Sequence, residues 1–209
     1  MRILIFGDSI TEGMWDSRGG WAHRLVADFF AEQMKDLSDN SVPWVINLGI
    51  SGNTTRDLLD RFDAETNACK DAEKAFVFAI GTNDAWINGD GSFNMSDQEY
   101  AKNIEQLITK ARKSSGKILF VGLCGVDEAR TTPVSWIDIS YTNERTQLFN
   151  RTLQRVCQAE QVTYLPVFEV FQRRHKQEGL LPDGLHPNDK GHKLIYDLVK
   201  PALKALLRP

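Results

Sequence analysis

A serine near one end of the sequence, and a histidine with a nearby carboxylate near the other, are the residues best suited to catalysis. Ser9 directly follows a short apolar run and a Gly-Asp pair, so it could begin a helix with its hydroxyl exposed at a sheet edge. Asp183 lies three residues before His186, in a turn that holds a glycine and a proline. A carboxylate placed there can accept the imidazole Nδ1–H, which fixes the tautomer and leaves Nε2 free as a base.

Two further segments offer hydrogen-bond donors, and each also follows an apolar run. In the segment after residue 46, Gly49 and Gly52 stand three apart, which allows close backbone approach and could leave an amide facing a cleft. Asn83 follows a Gly-Thr pair and supplies a neutral side-chain amide. Taken singly, each segment is equally typical of a tight turn or a helix cap, and the same holds for Ser9. Only their occurrence together favours a catalytic site.

The elements that must position these residues alternate along the chain. Five apolar runs, rich in Val, Ile and Phe, suit strands buried on both faces; they cover residues 3–6, 44–46, 75–80, 118–123 and 162–165. Longer amphipathic segments separate them. Strand–helix alternation predicts a parallel sheet with helices on both faces and right-handed crossovers. Ligands of such sheets bind beyond the carboxyl ends of the strands, where the candidate residues lie.

The helices are predicted from apolar stripes and capping signals. A stripe that begins at Tyr100 is preceded by Ser96 and Glu99, which fit a capping box. The last helix should run from about Asn188, and Pro201 should kink or restart it. His192, near its start, is predicted to be structural. The sequence has no internal repeat or linker, so we expect one domain over residues 1–209.

The four segments, in their order along the chain, resemble the four sequence blocks of the SGNH hydrolases, also called the GDSL family. The matching segments are Gly7-Asp8-Ser9-Ile10, Asn47-Leu48-Gly49-Ile50-Ser51-Gly52, Gly81-Thr82-Asn83-Asp84 and Asp183-Gly184-Leu185-His186-Pro187. Ile10 stands where the family name has Leu, which keeps the apolar character. The likeness spans essentially the whole chain. It implies a three-layer, flavodoxin-like α/β fold with a five-stranded parallel sheet, and hydrolysis of esters or thioesters.

The resemblance also assigns roles that the chemistry accepts. Ser9 would attack the acyl carbon, His186 would take its proton, and Asp183 would orient the imidazolium. The backbone N–H groups of Ser9 and Gly52, with the side-chain amide of Asn83, would form the oxyanion hole. Asp8 would support the turn around Ser9 without taking part in the chemistry.

Composition and charge exclude several other classes of function. The chain has 209 residues, 42% of them apolar, and a formal net charge of −3, which gives no basic surface for nucleic acid. No apolar stretch approaches the roughly 20 residues of a membrane span, and the first residues do not have the pattern expected of a signal peptide. Three widely spaced cysteines favour reduced thiols and a cytoplasmic location. Neither a cofactor nor a metal is expected, and the oligomeric state is left open.

The partner is expected to be a small-molecule ester, but the sequence says less about its shape. Trp15, Trp86, Trp136 and Leu181 lie in segments expected at the same sheet edge. They could form the wall of an apolar acyl or alcohol pocket, or simply pack the loops. An apolar rim suits a small to medium acyl or aryl ester, and the same aromatic rings could stack on a sugar.

Three functions therefore remain open. The leading hypothesis is a serine esterase with Ser9 as nucleophile. The second is a carbohydrate O-acetylesterase that uses the same residues. The third is a non-catalytic, flavodoxin-like binding module, against which stands the presence of every group that the reaction requires.

Overall fold

Five strands form a parallel sheet in the computed structural model, which describes residues 1–70 and 72–208. They are β1 (Arg2–Gly7), β2 (Trp44–Gly49), β3 (Lys74–Ala79), β5 (Ile118–Val121) and β7 (Thr163–Leu165). Their order across the sheet is β2-β1-β3-β5-β7, and every pairing is parallel. Counted within this sheet alone, the order is 2-1-3-4-5, which is the flavodoxin-like order. The predicted fold class is confirmed.

Helices connect the strands, and a small ribbon lies beside them. The helices are α1 (Ser9–Glu12), α2 (Gly20–Gln33), α3 (Thr55–Ala68), α4 (Asp97–Arg112), α5 (Glu128–Thr131), α6 (Asn143–Ala159), α7 (Phe168–Glu178) and α8 (Asp189–Leu206). The ribbon pairs two short antiparallel strands, β4 (Ile87–Asn88) and β6 (Ile139–Ser140). It joins two long loops that leave the carboxyl edge of the main sheet.

The sheet separates two apolar cores, because alternate residues of a strand face opposite sides. Leu4 and Phe6 of β1 pack with residues of α3, α4 and α6. Ile3 and Ile5 pack on the other side with residues of α2, α7 and α8. Both faces of β1 are thus buried, which explains why its sequence is a continuous apolar run.

A row of phenylalanines crosses the sheet just before its carboxyl edge. Phe6, Phe78 and Phe120 occupy matching register positions on β1, β3 and β5. Their ring centroids are 5.7 Å and 4.8 Å apart between neighbours, and the rings are stacked. Phe62 of α3 covers the row, 5.1 Å from Phe6. This rigid apolar row lies one residue below Gly7, where the polar segment begins.

Two predicted details of the helices differ in the structure. Ser96 caps α4 by accepting the Glu99 backbone N–H, but the Glu99 carboxylate pairs with Arg56 at 2.6 Å. Helix α8 continues through Pro201, so the predicted restart is wrong, while the predicted kink stays a prediction. Pro201 is exposed, as is Asp197 four residues earlier, and a carbonyl freed by proline on the outer side of a helix can bond to water instead.

Candidate active site

The turn that carries Ser9 is formed by the end of β1 and the single turn of α1. Asp8 is the N-cap of that turn and accepts the Ile10 backbone N–H at 3.0 Å. A Cβ on Gly7 would lie 2.1 Å from Thr11 Oγ1 and 2.5 Å from the Ala79 carbonyl oxygen. Only glycine therefore allows the chain to turn this sharply. Ser9 therefore lies just beyond the carboxyl end of β1.

Ser9, His186 and Asp183 form a continuous hydrogen-bonded chain. Ser9 Oγ lies 2.9 Å from His186 Nε2, and His186 Nδ1 lies 2.7 Å from Asp183 Oδ2. The serine and the histidine are 177 positions apart in sequence, and both side chains are buried. The structure thus brings together the three residues predicted to act as nucleophile, base and orienting carboxylate.

Asp183 folds its own loop as well as contacting the imidazole. Its Oδ1 accepts the backbone N–H groups of Leu185 at 2.9 Å and His186 at 2.8 Å. Burial alone would raise the pKa of Asp183, but these bonds and the bond to the imidazole hold that pKa well below its usual range. The carboxylate is therefore ionised at neutral pH. It accepts the proton on Nδ1, so Nε2 presents its lone pair to the Ser9 hydroxyl.

Three donors expected at an oxyanion site lie in the turns that surround Ser9. The backbone N–H groups of Ser9 and Gly52 make no hydrogen bond to another group in the described part of the chain. Gly52 has φ +80°, a left-handed conformation that glycine adopts without strain. The Asn83 amide donates one hydrogen to the Asn53 carbonyl at 3.0 Å. Its second hydrogen stays available for a ligand.

The Asn83 amide is held in one orientation by a tyrosine. Tyr141 is buried, and its hydroxyl donates to Asn83 Oδ1 at 3.0 Å. With Oδ1 occupied by a donor and Nδ2 bonded to Asn53, a flipped amide would place an oxygen against the Asn53 carbonyl. Sequence reasoning missed Tyr141, because it lies in a loop with no apolar period or motif.

Two buried aspartates support the turns from below. Asp8 is 2% exposed, and burial raises its pKa to about 6 despite the Ile10 N–H bond and the nearby His186. Burial likewise raises the pKa of Asp84 to about 6, although Thr55 donates to it. The Thr55 backbone N–H bonds Asp84 Oδ1 at 3.0 Å. This bond ties the segment that contains Asn83 to the first residue of α3.

The four predicted substrate contacts do not share one environment. Trp15 and Trp136 are 59% and 52% exposed, and the Trp136 ring lies 6.2 Å from the His186 ring. Trp86 is half-buried; it packs against a small core beside the site, and its indole N–H donates to Asn88 at 3.0 Å. Leu181 is only 3% exposed and belongs to the core of α2, α7 and α8. Leu181 is therefore an interior residue and not part of the rim.

Trp15 also has a contact that the sequence did not predict. Its indole N–H donates to Asp183 Oδ2 at 2.6 Å. His192 lies nearby, fully buried, with Nε2 2.9 Å from the Met14 carbonyl and Nδ1 accepting the Trp21 N–H at 3.3 Å. Burial lowers the pKa of His192, so it is neutral at pH 7 and holds the loop before Trp15.

Comparison with known proteins places this site in a family. The sequence model of the GDSL-like lipase/acylhydrolase family matches residues 5–194. The chain belongs to the GDSL-like lipase/acylhydrolase family. The resemblance drawn from the four segments is confirmed, and the chain is a carboxylic ester hydrolase of this type.

Curated relatives match nearly the whole chain. The isoamyl acetate-hydrolyzing esterase of Saccharomyces cerevisiae is 26% identical over 94% of this chain and 83% of its own length. A GDSL esterase/lipase of Arabidopsis thaliana is 26% identical over 97% of this chain and 86% of its own.

Solved structures show the same fold. The lipase/acylhydrolase from Enterococcus faecalis has a TM-score of 0.76 at 24% identity and covers 100% of this chain and 97% of its own. An acetylxylan esterase from Geobacillus stearothermophilus has a TM-score of 0.73 at 19% identity, with 97% and 93% covered. At these identities the likeness concerns the architecture alone.

Within residues 1–70 and 72–208, no group of three or more His, Cys, Asp or Glu side chains is placed to hold a metal ion. No helix in the same residues is long and apolar enough to cross a bilayer.

Proposed function

We propose that this GDSL-family hydrolase cleaves carboxylic esters through an acyl-enzyme on Ser9. The observation that carries the proposal is the 2.9 Å separation between Ser9 Oγ and His186 Nε2, with Asp183 at 2.7 Å from Nδ1. A serine hydroxyl is a weak nucleophile unless a base removes its proton as it attacks. This arrangement supplies that base in the required tautomer.

The reaction proceeds in two halves. Ser9 Oγ attacks the carbonyl carbon while its proton passes to His186 Nε2, and Asp183 stabilises the imidazolium. The negative oxygen of the tetrahedral intermediate accepts hydrogen bonds from the N–H groups of Ser9 and Gly52 and from the Asn83 amide. The intermediate collapses, and the alcohol leaves with the proton from Nε2. Water then attacks the acyl-enzyme by the same route and releases the acid.

The preferred substrates are esters of small to medium acyl or aryl groups. Apolar side chains are exposed around the site, among them Ile50 at 43% and Ile137 at 54%, besides Trp136. They offer apolar contact to an acyl or alcohol group of modest size. The yeast relative is named for hydrolysis of isoamyl acetate, an ester of this size.

Replacement of Ser9 tests the mechanism. Ser9→Ala and His186→Ala should each lower kcat for p-nitrophenyl acetate by about 10⁴-fold or more while the circular dichroism spectrum is unchanged. Ser38→Ala, a serine exposed in a loop remote from the site, is the matched control. A fluorophosphonate probe should label the wild type and the control but not Ser9→Ala. Full activity of Ser9→Ala would end the proposal.

A substrate panel separates the remaining alternatives. We expect acetyl and butyryl esters of simple alcohols to be hydrolysed faster than an acetylated xylo-oligosaccharide or an acyl thioester. Faster release of acetate from the sugar would favour the carbohydrate O-acetylesterase. Absence of probe labelling in the wild type would contradict an activated Ser9 nucleophile.

Three other expectations stay predictions. We expect residues 1–209 to act as one SGNH-hydrolase-like domain, the enzyme to work in the cytoplasm, and no nucleic acid to bind. The three cysteines are buried and unpaired, which suits a reducing compartment.

A further inference from the structure

The contact between Trp15 and Asp183 is unusual because two donors meet at one carboxylate oxygen. Asp183 Oδ2 accepts the Trp15 indole N–H at 2.6 Å and faces His186 Nδ1 at 2.7 Å. The other oxygen, Oδ1, is already occupied by two backbone N–H groups of its own loop. Trp15 is therefore bonded to the oxygen that holds the imidazole.

The backbone at Trp15 adopts a conformation that a bulky residue rarely takes. Its φ is +64°, a left-handed conformation that is strained for a residue with a Cβ. Such strain persists only where the surrounding contacts determine the conformation, and it concentrates at functional positions.

Three contacts hold the loop that carries Trp15. The Met14 carbonyl accepts a hydrogen bond from buried His192 at 2.9 Å. Asp16 has a fully buried side chain and pairs with Arg24 of α2 at 2.6 Å. The Ser17 backbone N–H donates to Asp189 at 2.9 Å. Residues on both sides of Trp15 are thus fixed to α2 and α8, and the indole has little freedom to leave Asp183.

We propose that Trp15 is a positioning residue, which acts through Asp183 to orient the His186 imidazole and to set the pH at which it works as a base. This inference rests on the proposed function. It replaces the expectation that Trp15 serves only as a wall for the substrate.

The direction of the effect follows from the shared oxygen. An N–H donated to a carboxylate withdraws electron density from it, so the carboxylate stabilises the imidazolium less. The bond from Trp15 is among those that hold the pKa of Asp183 low. Removing the indole N–H leaves Oδ2 to the imidazole alone. The imidazolium then persists to higher pH, and the acidic limb of the pH–rate profile moves upward.

Three other titratable or charged groups lie around this loop and are unchanged in the test. Asp8 at the end of β1 and His192 of α8 each interact electrostatically with His186. Arg130 of α5 donates from its guanidinium to the Pro182 carbonyl. None of the three bonds the Trp15 indole in the described residues. A change at Trp15 therefore reports on Asp183 and not on these groups.

The test is the profile of kcat/KM against pH for Trp15→Phe, measured with an acetyl and a butyryl ester. We expect the midpoint of the acidic limb to rise by about half a pH unit. We also expect kcat to fall about threefold to tenfold and equally for both esters. Trp44→Phe removes an exposed indole at the start of β2, away from Asp183, and its midpoint should coincide with that of the wild type.

Opposite results would overturn the inference. A Trp15→Phe midpoint that is unchanged or lower does so, as does a loss confined to KM that differs between the two esters, which marks a wall for the substrate. An independent readout is the Trp15 indole ¹H–¹⁵N resonance, which should move upfield in Asp183→Ala; no movement also overturns it. These outcomes do not bear on the Ser9 mechanism, which is tested separately by the activity and the probe labelling of Ser9→Ala.

Discussion

The Tyr141 hydroxyl orients the Asn83 side-chain amide, one of the expected oxyanion donors. This hydroxyl donates to Asn83 Oδ1 at 3.0 Å, and the Asn83 amide donates to Asn53 at 3.0 Å. The two bonds together leave one amide hydrogen of Asn83 for a ligand. An oxyanion donor that is already oriented needs no reorganisation during the reaction, which is the source of its strength.

Tyr141→Phe should therefore lower kcat about tenfold with KM changed less than about twofold. Loss of a whole oxyanion donor costs about 10²–10³, but Asn53 still resists a flip of the amide, so the expected loss is smaller. The buried Oδ1 loses its donor, and the free energy of unfolding should fall by about 1–2 kcal/mol. Steady-state kinetics and urea denaturation measure both quantities.

Tyr164→Phe is the matched control for this change. Its hydroxyl bonds Asn150 at 3.3 Å, away from the triad. The control should keep the wild-type kcat. Equal kcat values for Tyr141→Phe and Tyr164→Phe would show that Tyr141 has no part in orienting Asn83.

Helix α6 holds a loop of the site through one buried arginine. Arg145 Nε donates to the Ala85 carbonyl at 3.0 Å, and its Nη2 donates to the Met95 carbonyl at 2.8 Å. The guanidinium also lies 3.9 Å from the centre of the Phe93 ring. The two carbonyls flank residues 86–94, so a single planar group closes both ends of this loop. Burial lowers the pKa of Arg145, which still stays charged at neutral pH.

Arg145→Lys should release that loop, because an ammonium group cannot reach both carbonyls or stack on the ring as a guanidinium does. We expect a loss of about 2 kcal/mol in the free energy of unfolding and faster amide hydrogen exchange in residues 86–95. Arg112→Lys changes an exposed pair with Glu160 and should cost less than about 1 kcal/mol. Similar exchange rates in the loop for both variants would contradict this role.

The placement of the elements shows what sequence patterns could and could not reveal. Short Val-, Ile- and Phe-rich runs identified all five strands of the main sheet. Strands β1, β3 and β5 are buried on both faces, whereas the edge strands β2 and β7 are partly exposed. The edge rule for parallel sheets then placed Ser9, Gly52 and Asn83 at one edge. It does not apply to His186, which follows helix α7. The ribbon of β4 and β6 could not be predicted, because strands of two residues carry no period.

The roles of some residues could not be predicted, because tertiary contacts alone decide them. Leu181 lies in a loop, where the sequence does not indicate whether an apolar side chain faces a pocket or the core. Tyr141 and Arg145 act on carbonyls and amides far along the chain, and neither belongs to a recognisable motif. Trp15 was picked out as an aromatic beside the nucleophile, but its bond to Asp183 depends on a loop anchored to two helices.

Buried carboxyl groups make the stability of the whole molecule depend on pH. The pKa values of Asp8 and Asp84 are raised by burial from 3.8 to about 6. Between about pH 4 and pH 6 the folded protein retains these protons while the unfolded chain has released them. Their contribution to stability is thus complete below pH 4 and declines as the pH rises to 6. Asp183 has a lowered pKa and acts oppositely, its contribution being lost as the pH falls below about 4.

Asp8→Asn should remove one of these buried charges and keep the cap, since the amide oxygen can accept the Ile10 N–H. We expect the variant to exceed the wild type in free energy of unfolding by about 1–2 kcal/mol at pH 7 and by little at pH 4. Urea denaturation at pH 4, pH 5 and pH 7 measures this. Asp36→Asn alters an exposed carboxylate with a lowered pKa, so its difference from the wild type should be the same at pH 5 and pH 7. An Asp8→Asn difference that does not grow with pH would contradict the expectation.

The bond between Ser9 and His186 joins the first strand to the loop before the last helix. Helix α8 docks beside it, through His192 to Met14 and Asp189 to Ser17. During synthesis, Ser9 therefore leaves the ribosome 177 positions before His186, its proposed base. The Ser9 hydroxyl is therefore activated only after the segment with His186 has folded against the end of β1.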